Sequence, residues 1–260
     1  MRRNSAVFMW RDRALFLGDR STTAVHSHYA CEISVALDDR GLTTAVADGP
    51  TLSGVPGAVV ASATPHSLDI PGEKVAVLYL DPAGHDGVSV QAWLDRRPCA
   101  ALSDGAARAV RPSLLELFER RTGLEDASRA CAALVESLTT GSRRSPARGR
   151  LDPRVEQVVA LLEARLDQPP SLAEAAAAVS LSPTRLRQLF SEQVGVPMRS
   201  YLLWLRLRAA LTAALGGLSM TEAAHRAGFA DSAHFTRTCQ SMFGLPPTAF
   251  APVDEVFLAE

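Results

Sequence analysis

With 260 residues, 47% of them hydrophobic and 21% charged, the chain is long enough for two domains that each bury a core, and its composition excludes a disordered or low-complexity polymer. No apolar run approaches the ~20 residues that cross a bilayer, and residues 1–20, MRRNSAVFMWRDRALFLGDR, carry charge throughout and lack the apolar stretch of a signal peptide, so a cytoplasmic protein with no membrane partner is expected. Cys31, Cys99, Cys131 and Cys239 form no Cys-x-x-Cys pair, against a zinc ribbon or disulfide framework, and the net charge of −1 excludes a global nucleic-acid footprint.

The first elements are β. Short apolar stretches at 32–37, 58–63 and 75–80 alternate with Asp-Asp-Arg-Gly, Asp-Gly-Pro, Gly-Val-Pro-Gly and Ile-Pro-Gly-Glu, the interval of an antiparallel barrel or sandwich. Ahead of the first of them stands HSHYACE, residues 26–32. Its His26, His28 and Glu32 lie at i, i+2 and i+6, which on a strand puts all three on one face. A metal site, a catalytic site and the lining of a sensing pocket are all compatible with that spacing.

Beyond Pro82 the strand signals fade, and apolar residues at helical spacing predict amphipathic helices over 113–121 and 125–138. GSRRSPARGR, residues 141–150, cannot build a core and reads as an interdomain linker. From residue 152 the chain reads as all helix. Asp152-Pro153 is an N-cap with proline at the first helical position, and Val155, Val158, Val159, Leu162 and Leu166 mark one face. Ser171 with Glu174 forms a capping-box pattern for a helix over 172–178, and Ser182-Pro183 starts another to about 193. After a long helix over about 198–215, the device recurs: a short helix at 220–227, the turn Gly228-Phe229-Ala230-Asp231, and a second helix over 232–242 ending at Gly244.

This is a duplicated helix-turn-helix. In such a unit the first helix braces the second, whose polar face then enters the ~12 Å major groove. In the first copy Leu186, Leu189 and Phe190 supply the buried face and Thr184, Arg185, Arg187 and Gln188 face out. In the second, Phe235 and Met242 are inward, and Ser232, His234, Arg237 and Gln240 are outward. Arginine is bidentate to guanine and glutamine to adenine, so Arg187, Gln188 and Arg237 are the expected base readers, with Arg187 and Arg237 in equivalent places. The long helix between the copies spans ~25 Å, enough to hold two reading helices about one DNA turn apart.

Residues from about 153 to 250 resemble the C-terminal DNA-binding domain of the AraC/XylS transcription regulators. The resemblance rests on SLAEAAAAVSLSPTRLRQLF, on Gly195, Tyr201, Arg206-Leu207 and Ala210, and on EAAHRAGFADSAHFTRTCQSMFGLPPTAF. Ser180 stands where the family's first turn usually has glycine, and Cys239 where the second reading helix usually has phenylalanine.

The resemblance implies an N-terminal cupin-like sensor barrel that binds a small effector and helps the protein dimerise. His26, His28 and Glu32 match the first cupin motif, and Gly54-Val55-Pro56-Gly57 with Pro65-His66 resembles the second. Metal-bearing cupins use three imidazoles and one carboxylate, whereas AraC-type sensors often retain these residues without catalysis. The expected fold is therefore α+β in two domains, a cupin-like antiparallel barrel followed by helices and an all-α domain with two helix-turn-helix motifs. Its expected divisions are 1–95 for the sensor, 96–140 for a helical dimerisation segment, 141–151 for the linker and 152–252 for DNA binding. The expected function is transcription regulation without enzymatic turnover, on double-stranded promoter or operator DNA, as a homodimer, with RNA polymerase as a partner if it activates. The effector would occupy a pocket at His26, His28, Glu32 and His66, with a divalent metal on the same four residues as the alternative.

Overall fold

The computed structural model describes residues 5–19, 22–72, 74–120, 122–140, 150–250 and 253–259. Ten strands and nine α-helices stand in the described residues: β1 Ala6–Met9, β2 Arg13–Asp19, β3 Cys31–Ala36, β4 Leu42–Val46, β5 Thr51–Val55, β6 Gly57–Val60, β7 His66–Asp69, β8 Lys74–Leu80, α1 His85–Leu94, β9 Cys99–Ala101, α2 Asp104–Arg120, α3 Leu124–Thr139, α4 Pro153–Ala164, α5 Leu172–Ala178, α6 Pro183–Val194, α7 Met198–Leu215, α8 Met220–Arg226, α9 Ser232–Phe243 and β10 Glu255–Leu258.

The strands form two sheets, β10-β1-β2-β8-β3-β6-β9 and β5-β4-β7. This corrects the expected barrel: the strands do not close on themselves, and the sheet is not purely antiparallel, because β10 runs parallel to β1. The alternation of side chains explains the layering. On β3, Cys31, Ile33 and Val35 point to the side covered by α1, α2 and α3, where Val90, Leu94, Leu114, Phe118, Leu134 and Leu138 complete one core. On β8, Val75 and Val77 point the other way, onto Leu42 and Leu68 of the small sheet. Glu32 and Ser34 share the parity of that second face and lie between the sheets.

Three further elements depart from expectation. Helix α1 and strand β9 carry no clear periodic signal, and β9 joins the sheet through β6. The predicted helix from 113 starts instead at Asp104, across Pro112. Proline removes a helical donor, but buried Ala107 and Val110 and the Arg111 bridge to the Ala36 carbonyl and Asp39 carboxylate hold the preceding turns. The tail beyond 252 forms β10, where Asp254 takes the Ser5 amide and Phe257 stacks on Phe8 at 4.5 Å. Of the expected linker over 141–151, residues 141–149 lie outside the described residues, as do 251–252.

The C-terminal helices follow the predicted order. Ser171–Glu174 and Ser219–Glu222 form matching capping boxes at the starts of α5 and α8. One core gathers Val155, Leu162, Leu186, Phe190, Trp204, Leu207, Phe235 and Met242. In the two turns Ser180 and Gly228 take the same left-handed conformation, at φ 55° and 81°. Gly228 also sits where a Cβ would lie 2.6 Å from the Leu166 carbonyl oxygen, which accepts from Arg206 Nε at 2.8 Å.

Gly228→Ala should therefore cost about 2 kcal/mol or more through left-handed strain and the clash. Ser180→Gly, which relieves strain at an exposed position, should gain up to about 1 kcal/mol. Urea unfolding followed by circular dichroism reads both, and equal midpoints for the two variants would refute the strain argument.

Candidate functional site

The outward face expected on α6 is exposed, and that expected on α9 is exposed only in part. Leu186, Leu189 and Phe190 of α6 are buried, and Thr184, Arg185, Arg187 and Gln188 are exposed. Arg185 donates to Gln188 at 3.3 Å and Gln188 to Glu192 at 2.9 Å. On α9, Arg237 and Gln240 are exposed, whereas Ser232 and His234 are half-buried. His234 rests edge-on against the Phe229 ring at 5.1 Å, and the Ser232 carbonyl accepts from Thr236, so these two are tied into the unit itself.

The expected equivalence of Arg187 and Arg237 does not hold. Arg187 is the fifth residue after the N-cap Ser182, and Arg237 is the sixth after the N-cap Asp231. Both helices have 12 residues and end on a left-handed glycine, Gly195 or Gly244, so the register is unambiguous. Arg237 corresponds to Gln188, and Arg187 to Thr236. The second turn carries one residue more, Ala230, and that insertion produces the offset. Thr236 is a position the sequence reading missed, and aligning the cap glycines would have found it.

The helix pairs are fastened to the N-terminal sheet by a buried carboxylate. Asp81, at the end of β8, accepts from Tyr201 Oη at 3.0 Å, Trp204 Nε1 at 3.1 Å and the Ala83 amide at 2.9 Å, and pairs with Arg208 at 2.5 Å. Burial pushes its carboxyl up, against the Arg208 charge and the hydrogen bonds. Nothing in the local sequence around Asp81 marks it for this role. Beside it, at the seam, an apolar cavity of about 60 Å³ is lined by Met9, Leu15, Phe16, Tyr79, Trp204 and Phe243.

The third feature gathers His26, His28, Glu32 and His66. His26 precedes β3 and meets His66 of β7 as a backbone bridge, with both amides bonded at 2.9 Å. All four side chains are buried, and their donor atoms lie within 4.8 Å of one another. Each histidine uses Nδ1 on a nearby carbonyl: His26 on Ala24 at 2.9 Å, His28 on Ala30 at 3.1 Å and His66 on Thr64 at 2.8 Å. Glu32 Oε2 meets Nε2 of His28 at 2.9 Å and of His66 at 3.4 Å, and Oε1 accepts from Ser34 at 2.6 Å. Burial opposes charge on Glu32, but the two imidazoles hold its carboxyl well below the usual range. Burial and the neighbouring His66 push His26 down to about 4, while the Glu32 partnership outweighs burial at His66 and raises it.

Comparison with known proteins bears on the helical half. A family model described as a helix-turn-helix domain matches residues 175–252. Residues 175–252 are a helix-turn-helix domain. The regulator GbdR of Pseudomonas aeruginosa is 35% identical over 100 residues, 38% of this chain and 27% of GbdR. The regulator ArgR of the same species is 31% identical over 146 residues, 54% of this chain and 44% of ArgR. The chain thus spans less than half the length of these curated relatives. The crystal structure of unsaturated fatty acid-bound ToxT from Vibrio cholerae aligns over 93% of this chain and 95% of ToxT, with a TM-score of 0.60 at 12% identity. The two-part α+β architecture, with a helical part following a β-rich one, is therefore shared. Among the described residues no helix is long and apolar enough to cross a membrane.

Asp81→Ala should leave Arg208 with Glu163 as its remaining carboxylate among the described residues and the buried Tyr201 and Trp204 donors unsatisfied, at a cost of ~2–4 kcal/mol. Guanidinium unfolding monitored at the tryptophans measures this. An unchanged midpoint would show that the helix-turn-helix domain does not depend on this contact.

Proposed function

We propose that the protein is a sequence-specific DNA-binding transcription regulator of the AraC type, in which a β-rich sensor domain controls a double helix-turn-helix. The observation that carries this reading is the pair of braced 12-residue helices with exposed polar faces, Thr184, Arg185, Arg187 and Gln188 on one and Arg237 and Gln240 on the other. Neither Arg187 nor Arg237 forms an ion pair with another described residue, so both guanidinium groups are available to guanine edges or phosphate.

The N-termini of α5 and α8 are closed by the Glu174 and Glu222 carboxylates, which disfavours phosphate there. The start of α6, with Ser182, Thr184 and Arg185, is the better positioned phosphate contact. Because Arg187 has no basic counterpart on α9, the two half-sites are expected to differ in sequence. His234 and Ser232 act as supports for α9 in this reading, with Arg237 and Gln240 as its readers.

Signal reception belongs to the N-terminal domain. ToxT was crystallised with an unsaturated fatty acid; here the apolar cavity beside Asp81 measures about 60 Å³. The arginines on its wall are engaged, Arg13 with Asp12 and Asp86 and Arg208 with Asp81 and Glu163. The cluster of His26, His28, Glu32 and His66 is the better developed site for an effector. A cytoplasmic setting and the absence of turnover accord with the same reading.

Selection of bound fragments from a genomic library, followed by gel shifts, tests the function. Arg187→Ala and Arg237→Ala should each weaken the selected site by ~1–3 kcal/mol and relax preference at different positions. Arg185→Ala should weaken all sequences alike and lower the salt slope by about 1. Failure to enrich any sequence, by a protein with native circular dichroism, would overturn the reading.

A further inference from the structure

We propose that His26, His28, Glu32 and His66 bind a borderline divalent transition-metal cation, and that occupancy of this site governs how the last turn of α9 sits on the N-terminal domain. The second half of this proposal deepens the DNA-binding reading and rests on it for its consequence; the first half stands alone.

The donor set is assembled from three separate pieces of chain: the segment before β3 supplies His26 and His28, β3 supplies Glu32 and β7 supplies His66. Each imidazole spends Nδ1 on a backbone carbonyl, the support that metal-ligating histidines receive, and in His28 and His66 this leaves Nε2 facing Glu32. Ser34 occupies Glu32 Oε1 in the same way and leaves Oε2 facing the rings. Nε2 of His28 and Nε2 of His66 both turn onto Glu32 Oε2, at 2.9 and 3.4 Å, and His26 brings a third ring within 4.8 Å of them. A divalent ion would take one nitrogen from each ring together with the carboxylate. Three neutral nitrogens and one anionic oxygen suit a cation between the hard and soft extremes, such as Zn²⁺, Co²⁺, Ni²⁺ or Fe²⁺.

Donor atoms up to 4.8 Å apart are wider than a bound ion requires. Metal–ligand lengths of 2.0–2.2 Å put tetrahedral donors ~3.4 Å apart, so loading draws the rings together. The consequence lies in what those rings touch. His28 packs 6.0 Å from the ring of Phe243, the last residue of α9, and Tyr79 bridges the two at 5.1 and 5.5 Å. The Ser27 amide reaches the Ser241 carbonyl at 3.4 Å. A Cβ on Gly244 would stand 3.6 Å from His26 Cβ. The segment carrying two of the four ligands is therefore the segment on which the second reading helix ends, and contraction of the cluster is transmitted to α9 through Phe243 and the 27–241 contact.

The test uses the full chain without a histidine tag, stripped with chelator. Titration with Co²⁺, followed by its visible ligand-field absorption, and displacement by Zn²⁺ should give one ion per chain by elemental analysis. Glu32→Gln and His66→Ala should each weaken uptake by at least the ~100-fold that loss of a supporting partner can cost. His26→Gln, on the segment outside the sheets, provides the same reading should either sheet variant lose its native circular dichroism. Zn²⁺ should slow hydrogen exchange of the amides at 240–244 roughly tenfold in the wild type and leave it unchanged in His26→Gln. On a selected DNA fragment, Zn²⁺ should shift the affinity at least fivefold, roughly 1 kcal/mol, in the wild type only. Absence of stoichiometric Co²⁺ and Zn²⁺, or uptake that survives all three substitutions, overturns the site. Uptake without a change in exchange at 240–244 overturns the coupling. Failure of DNA binding with or without Zn²⁺ overturns the regulator reading, while uptake and exchange still decide the metal proposal.

Discussion

The arrangement of the molecule depends on one buried carboxylate. Asp81 leaves the end of β8 and receives donors from three successive turns of α7: Tyr201, Trp204 and Arg208. Spacings of three and four residues bring these side chains onto one stripe of the helix. A buried charge is costly unless its lone pairs are filled and its charge is answered, and here both conditions are met only when α7 lies against the sheet. Because α7 connects the two helix-turn-helix units, fixing it fixes α6 and α9 relative to the N-terminal sheet. The same contact brings Trp204 and Phe243 toward Tyr79, and so brings the end of α9 to the histidine cluster.

The duplicated units share a scaffold but not a reading face. Their capping boxes, left-handed turn residues, helix lengths and glycine caps correspond, and so do the buried positions Leu186 with Phe235 and Phe190 with Cys239. One additional residue in the second turn changes which outward residue falls at each step of the helix. An arginine and a glutamine in the first copy correspond to a threonine and an arginine in the second. Burial constrains the inner face of a recognition helix, whereas the outer face is left to whatever it must contact.

Between the sheets, the alternation of β3 separates two kinds of chemistry. Cys31, Ile33 and Val35 feed an apolar core beneath the helices, while Glu32 and Ser34 meet three histidines on the opposite side. The polar group is sealed by Tyr79 and Phe243, one from each part of the chain. The histidine cluster and the end of α9 are separated by a single ring contact, His28 to Phe243.

What was legible in the sequence followed from local rules. Caps, proline starts, glycine stops and helical periodicity depend on neighbours within about four residues, so α4 to α9 and their inward faces could be read directly. The period-two spacing of His26, His28 and Glu32 led to the expectation of one strand face, but only Glu32 lies on β3; His26 and His28 come from the irregular segment before it, and His66 joins them from β7. Strand order, the unclosed sheets, β9, the parallel β10, the start of α2 across Pro112 and the offset between Arg187 and Arg237 were not legible in the same way. Each depends on partners far along the chain or on a one-residue difference in a turn. The sequence by itself determined a double helix-turn-helix behind a β-rich domain and the donor set of a candidate site. Only the tertiary structure decided that Asp81 joins the two parts and that Phe243 closes the histidine cluster, because a buried carboxylate finds its donors and a ring its cavity by packing across more than a hundred residues, where no local pattern reaches.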